Sequence, residues 1–268
     1  MSEQTGISWT GSTWNPWHGC HKVSAGCKNC YMFRDKEQYG QDGNIVVRSK
    51  TKFNDPLKWV KKGNPPKLCF TCSWSDFFIE EADPWRNEAW DIIRRTPQIT
   101  YQILTKRPQR IIGHLPVDWN FGGYPNVQIG VSIEDQKTAD ERIVKLLLLQ
   151  FQIRTMFVSY EPALAEIDIS RYLGKRLPAP YPFLVPVDCT PPRGIDWLIV
   201  GGESGNNFRP MNLDWLTSIV NQCKAAGVKC FVKQDSGRFP GKQGRIPDQY
   251  WKYKEFPGGN DGKSTGAD

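Results

Sequence analysis

The chain lacks any apolar run approaching the ~18 residues that cross a bilayer; its longest comparable stretch is Leu146 to Leu149. A membrane span is therefore excluded from the expectation. The first residues, Met-Ser-Glu-Gln-Thr-Gly, lack a basic region followed by an apolar one. No secretory signal is visible, and the cytoplasm is the expected compartment. Without an export signal, the eight cysteines are expected to be metal ligands and core residues rather than a disulfide framework. Cys69 and Cys72 fall in Lys67-Leu-Cys-Phe-Thr-Cys-Ser73, which has a strand pattern. Residues three apart on a strand point to opposite faces, so both are expected to pack rather than to share a metal. Cys189, Cys223 and Cys230 stand singly and are expected to pack as well.

What is present is ordinary for a soluble enzyme, 39% apolar and 24% charged residues in a length of 268. That length suits one barrel of about 250 residues. The net charge is +7 and there are eleven tryptophans. Basic residues cluster at Arg48, Lys50 and Lys52, at Lys58, Lys61 and Lys62, at Arg94 and Arg95, and at Lys106, Arg107 and Arg110. Positive charge interleaved with aromatics suits a nucleic-acid surface, which needs phosphate neutralisation and stacking. An ordinary solvated face has the same composition, so charge alone does not decide.

Short β-rich runs alternate with capped helical stretches. The strand-like runs are residues 7–15, 67–73, 100–105, 127–132, 155–159, 197–200 and 229–233. Such alternation predicts parallel βα units in an α/β fold, a parallel (β/α) barrel of six or seven strands, partial and open on one side. Asp55-Pro56 and Asp83-Pro84 are expected to cap helices, with proline at the first helical position. Pro108 should open a helix over residues 109–115. A longer helical pattern spans residues 135–150, and Asn212 should cap a helix ending at Gly227. One domain is expected over residues 1–257, with a proline-rich insertion at 174–195 and a flexible tail at 258–268.

The stretch Trp14-Asn-Pro-Trp-His-Gly-Cys20-His-Lys-Val-Ser-Ala-Gly-Cys27-Lys-Asn-Cys30-Tyr concentrates chemistry. Three close thiolates can hold an iron-sulfur cluster by three of its irons and leave the fourth open. The same cysteines with His18 or His21 could instead close a tetrahedral zinc site, which would be structural and would make the chain a zinc-stabilised nucleic-acid-binding protein without catalysis. A cluster serving electron transfer is a third possibility.

The run Trp-Asn-Pro, Gly-Cys, Ser-x-Gly-Cys-x-x-Cys-Tyr resembles the opening of a phage-associated family with a three-cysteine motif, itself similar to radical S-adenosylmethionine (SAM) enzymes. The likeness extends over roughly residues 7–236. It implies a 4Fe-4S cluster on Cys20, Cys27 and Cys30, with the amino and carboxylate groups of SAM chelating the open iron. It also implies reductive cleavage of SAM to a 5'-deoxyadenosyl radical, with a reductase or flavodoxin-type protein as electron donor. Were the chain phage-encoded, its compartment would be the host cytoplasm, and modification or repair of DNA would be the natural context.

In a parallel barrel the functional residues gather at the C-terminal ends of the strands. Here those ends carry Ser73-Trp74-Ser75-Asp76, Thr105-Lys106-Arg107, Ser132-Ile133-Glu134-Asp135, Ser159-Tyr160-Glu161, Gly201-Gly202-Glu203-Ser204 and Lys233-Gln234-Asp235. By the resemblance, Ser73 and Asp76 lie where the methionine ammonium of SAM is held. Ser132 and Glu134 similarly resemble the position that contacts its ribose or carboxylate. Gly201-Gly202-Glu203 matches a radical SAM motif that occurs after a different strand, so Glu203 is assigned to cofactor or substrate without choosing. Lys106, Lys233, Glu161 and Gln234 could bind a phosphate or a base edge, and a salt-bridged pairing among them is the competing account. The substrate expected from charge and family together is a nucleic acid or a nucleotide.

Overall fold

A computed structural model describes residues 5–174 and 193–259. Most of the expected insertion and of the tail therefore lies outside the described residues. Strands β1 (Ser12–Trp14), β2 (Trp17–His18) and β3 (Val47–Arg48) come first, with helix α1 (Tyr31–Gln38) between the last two. There follow α2 (Asp55–Lys61), β4 (Leu68–Thr71), α3 (Asp83–Arg95), β5 (Thr100–Thr105), β6 (Val127–Ile133), α4 (Gln136–Leu147) and β7 (Thr155–Tyr160). The chain continues with β8 (Trp197–Gly201), α5 (Leu213–Ala226), β9 (Lys229–Gln234) and the short α6 (Asp248–Trp251).

All seven predicted strands are present and run parallel in the order β1-β4-β5-β6-β7-β8-β9. The fold is α/β, a partial parallel barrel with its first and last strands unpaired to each other. A separate antiparallel ribbon joins β2 to β3. Among the described residues no helix is long and apolar enough to cross a membrane.

The chain divides into two compact units, Met1–Ser132 with Phe151–Arg154 and Ile133–Gln150 with Thr155–Asp268. In the first, Ser12 pairs with Cys69 and Cys69 with Tyr101 across β1, β4 and β5. Its core is aromatic: Trp14 lies edge-on to Tyr101 at 5.6 Å and Phe77 edge-on to Trp90 at 4.9 Å. In the second, β8 is buried at every position, as expected of a parallel strand covered on both faces. Trp197 packs there on Phe157 and Phe231. Trp9, Trp14, Trp17, Trp59, Trp90 and Trp197 are buried and serve the interior, while Trp74, just after β4, is half-buried.

Several boundaries differ from expectation for local reasons. β1 is confined to Ser12–Trp14, since Gly11 interrupts the run ahead of it. Asp55 and Asp83 are the first helical residues, each with proline next, and the residues at the cap positions, Asn54 and Ala82, make no side-chain capping bond. Their charge still favours the helix start through the backbone dipole. The helix expected after Pro108 is two single 3-10 turns, Pro108–Arg110 and Ile112–His114. Gly113 and Pro116 leave no uninterrupted helical span there. Cys69 lies on β4, but Cys72 follows the strand in the left-handed region at φ 64°. Both are buried, as predicted.

The expected cap at Asn212 accepts the Asp214 N–H at 3.0 Å, and Gly227 ends α5 at φ 66°. Asp135 forms a reciprocal capping box with Thr138 at the start of α4. Asp135→Ala should therefore destabilise the fold by about 1 kcal/mol, read as a lower urea midpoint. An unchanged midpoint would show that the cap contributes nothing.

Candidate metal centre

The Trp-Asn-Pro-Trp segment works as a brace. Trp14 Nε1 donates to the Lys52 and Phe53 carbonyls at 3.2 and 3.0 Å. Asn15 donates from Nδ2 to Ser73 Oγ at 3.0 Å and accepts the Trp74 N–H at 2.8 Å. Trp17 Nε1 donates to the Asp76 carbonyl at 3.2 Å. Together these tie the chain after β1 to the turn after β4. Gly19 closes the tie at φ 98°, its N–H donating to the Trp74 carbonyl at 3.0 Å and its carbonyl accepting from Ser75 Oγ at 2.6 Å. A Cβ at Gly19 would lie 2.2 Å from the Ile45 carbonyl oxygen, so only glycine fits there.

The three motif cysteines follow on this pinned loop, all as free thiols. The Cys20 N–H donates to the Gly43 carbonyl at 2.9 Å. Cys27 ends a 3-10 turn and is buried. Cys30 immediately precedes α1, where the Met32 and Phe33 N–H groups lie near its sulfur without a capping bond. Burial raises the Cys30 pKa above its ordinary value, while these N–H groups and Lys106 act against the rise. Burial, then Asp76, pushes Cys20 up to about 12, and Arg107 opposes this. Tyr31 Oη donates to the Ser73 carbonyl at 2.5 Å, joining α1 to the same turn.

Arg107 is the residue that sequence reasoning placed in the wrong role. It was counted toward a basic face, yet its side chain is only 10% exposed. Nη1 donates to Asp76 Oδ2 at 3.0 Å and lies 3.8 Å from Cys20 Sγ, while Nη2 donates to the His21 carbonyl at 3.0 Å. Asp76 accepts three further bonds, from the Phe78 N–H, Thr105 Oγ1 and the Lys106 N–H, at 2.9, 2.7 and 2.9 Å. Arg110, also counted as basic surface, is paired with Asp83 at 2.8 Å. The only sequence signal for these pairings was the run Thr105-Lys106-Arg107 at a strand end.

The remaining predicted residues divide between the two units. Ser73, Asp76 and Lys106 stand around the cysteine loop in the first unit, and Ser132 lies buried near the end of β6. In the second, Glu134 is fully buried and paired with Arg142 at 3.0 Å. Glu203 is held by Arg209 through a backbone bond at 2.8 Å and a two-pronged guanidinium contact. Glu161 and Lys233 pair with each other. Gln234 donates to the Gly202 carbonyl at 2.8 Å and accepts the Gly241 N–H at 2.9 Å. A Cβ at Gly202 would lie 2.3 Å from the Ser236 nitrogen, so the close backbone approach this glycine allows is to its own chain. The partners Arg142, Arg209 and Arg245, the last paired with Asp235 at 2.8 Å, carried no signal in the sequence.

Residues 4–253 match a family model described as protein of unknown function (DUF5131). The chain belongs to that family. Neither a curated protein nor a solved structure matches it.

In this family member, no group of three or more His, Cys, Asp or Glu side chains among the described residues is placed to hold a metal ion. The fit of the three cysteines to a cluster rests on donor chemistry: each thiolate of a cubane binds a different iron, so the sulfurs need not converge on one point. Two of the three have charge-compensating donors at hand, Arg107 for Cys20 and the start of α1 for Cys30.

The Glu134 and Arg142 side chains are 0% and 8% exposed, and removing one partner of a buried pair strands the other charge. Glu134→Ala should cost about 3 to 5 kcal/mol of stability, measured by chemical denaturation. A stable Glu134→Ala protein with weakened SAM affinity would instead place Glu134 at the cofactor.

Proposed function

We propose that this chain is a radical SAM enzyme that holds a 4Fe-4S cluster on Cys20, Cys27 and Cys30 and acts on a nucleic acid or a nucleotide. The observation that carries this is the triad of free cysteines on a loop braced by Asn15 and Gly19 before it and by Tyr31 after it. A cluster held by Cys20, Cys27 and Cys30 would supply the single electron for reductive cleavage of SAM.

The chain's own residues prepare that site. The Asn15 and Gly19 contacts hold the cysteine loop against the turn after β4. The start of α1 offers N–H groups to Cys30, and Arg107 offers its guanidinium to Cys20. These lower the cost of gathering negative sulfur in a partly buried place. Both Asp76 oxygens already accept two bonds each. The ammonium of SAM is therefore better served by groups of the Ser73 turn than by Asp76. A structural zinc on the same cysteines loses one of its two candidate histidines, since the His21 ring is engaged by Glu81, whereas His18 Nδ1 is buried without a hydrogen-bond partner.

A nucleic-acid substrate draws on the net charge of +7 and on lysines that remain at the surface, Lys50, Lys61 and Lys62 among them. Binding of an oligonucleotide should weaken steeply with added salt through counterion release. The double variant Lys61→Ala and Lys62→Ala should flatten that slope. Absence of binding at low salt would leave a small nucleotide as the substrate.

The cluster itself is tested by anaerobic reconstitution. Cys20→Ala, Cys27→Ala and Cys30→Ala should each lose bound iron and the formation of 5'-deoxyadenosine, while Cys69→Ala and Cys72→Ala keep both. Zinc in place of iron, or loss of iron on Cys72→Ala with retention on Cys20→Ala, would overturn the assignment.

A further inference from the structure

The geometry points to Arg107 as the positioning residue that sets the reduction potential of the cluster, through an N–H···S bond to Cys20 aimed by Asp76. The inference rests on the cluster reading above. It starts from a chain of contacts that no generic surface arginine would make. Arg107 is nine-tenths buried, where an arginine is retained only if its charge is paired. Its pairing has two parts: the Asp76 carboxylate at 3.0 Å, and the Cys20 sulfur at 3.8 Å. The remaining nitrogen, Nη2, holds the His21 carbonyl at 3.0 Å, so the fork is fixed in orientation to the backbone of the motif.

Asp76 is in turn immobilised. Its four accepted bonds come from Phe78, Thr105, Lys106 and Arg107, and the Thr105 hydroxyl also accepts the Arg107 N–H at 2.9 Å. The carboxylate has no rotational freedom left, so the guanidinium it aims has little. A thiolate ligand at Cys20 would therefore face a fixed cation and a fixed N–H.

The consequence is electrostatic. A reduced cluster carries one more negative charge than an oxidised one, so a nearby cation and a hydrogen bond to a ligand sulfur favour the reduced form and raise the potential. Arginine suits this task better than lysine because its planar fork can serve sulfur, carboxylate and carbonyl at once. A single ammonium cannot reach all three in the same geometry.

The test is the midpoint potential of the anaerobically reconstituted full chain, followed spectroscopically during reduction with dithionite in the presence of mediator dyes. Arg107→Met should lower the reduced-to-oxidised ratio at a fixed applied potential about tenfold, a downward shift of about 59 mV for a one-electron couple. Arg107→Lys, which keeps a cation beside Asp76 and so protects the fold, should shift the midpoint in the same direction by less. Arg95→Met, an exposed arginine paired with Asp91, should leave it unchanged. Iron content is measured in every sample. A wild-type chain that takes up no iron overturns the cluster reading and this inference together. A wild-type chain with its cluster, and an Arg107→Lys variant with full iron and an unshifted midpoint, overturns the role of Arg107 alone.

Discussion

The buried ion pair between Arg107 and Asp76 is the interaction on which the cysteine loop depends. Two charges taken out of water are costly, and they persist only when each is fully bonded. Here the bonding partners come from the turn after β4, the turn after β5 and the motif loop. The pair thus draws the ends of two neighbouring strands to the segment that carries Cys20. The tryptophan and asparagine of the motif complete the brace from the other side, through Trp17 on the Asp76 carbonyl and Asn15 on Trp74. The residues flanking the cysteines are there to build their support.

Much of the fold was legible because its signals are local. Seven β-rich runs separated by helical stretches predicted a parallel α/β sheet, and the seven strands fall within those runs or within a residue or two of them. Asn212 and Gly227 bound α5 as their backbone preferences require. Where the prediction slipped, the local backbone decided: the stretch after Pro108 closes into two separate 3-10 turns ahead of Pro116, and Cys72 turns left-handed instead of extending β4. The ligand set came from the family resemblance, and only the grouping of Cys20, Cys27 and Cys30 in one short segment was legible from spacing. Its support was not, since Arg107 lies 87 residues from Cys20, and nothing in composition distinguishes a buried arginine from a surface one.

Charge was the least legible feature. A list of strand-end acids and bases reads as a binding site, yet in the second unit Glu134, Glu203, Glu161 and Asp235 each face a cation of their own unit. Such pairs hold loops at strand ends in place and leave little net field. The positive balance of the chain lies outside these pairs, on exposed residues such as Lys50, Lys61 and Lys62, and any long-range attraction of an anionic substrate draws on such groups.

The central claim is that three cysteines leave one iron of a cluster open for SAM. Electron paramagnetic resonance of the dithionite-reduced, reconstituted protein tests it directly, with and without SAM. The account predicts a reduced-cluster signal whose g values shift on addition of SAM, because a new ligand enters the coordination sphere of the open iron. A cluster signal indifferent to saturating SAM, or a colourless protein without iron, would contradict it.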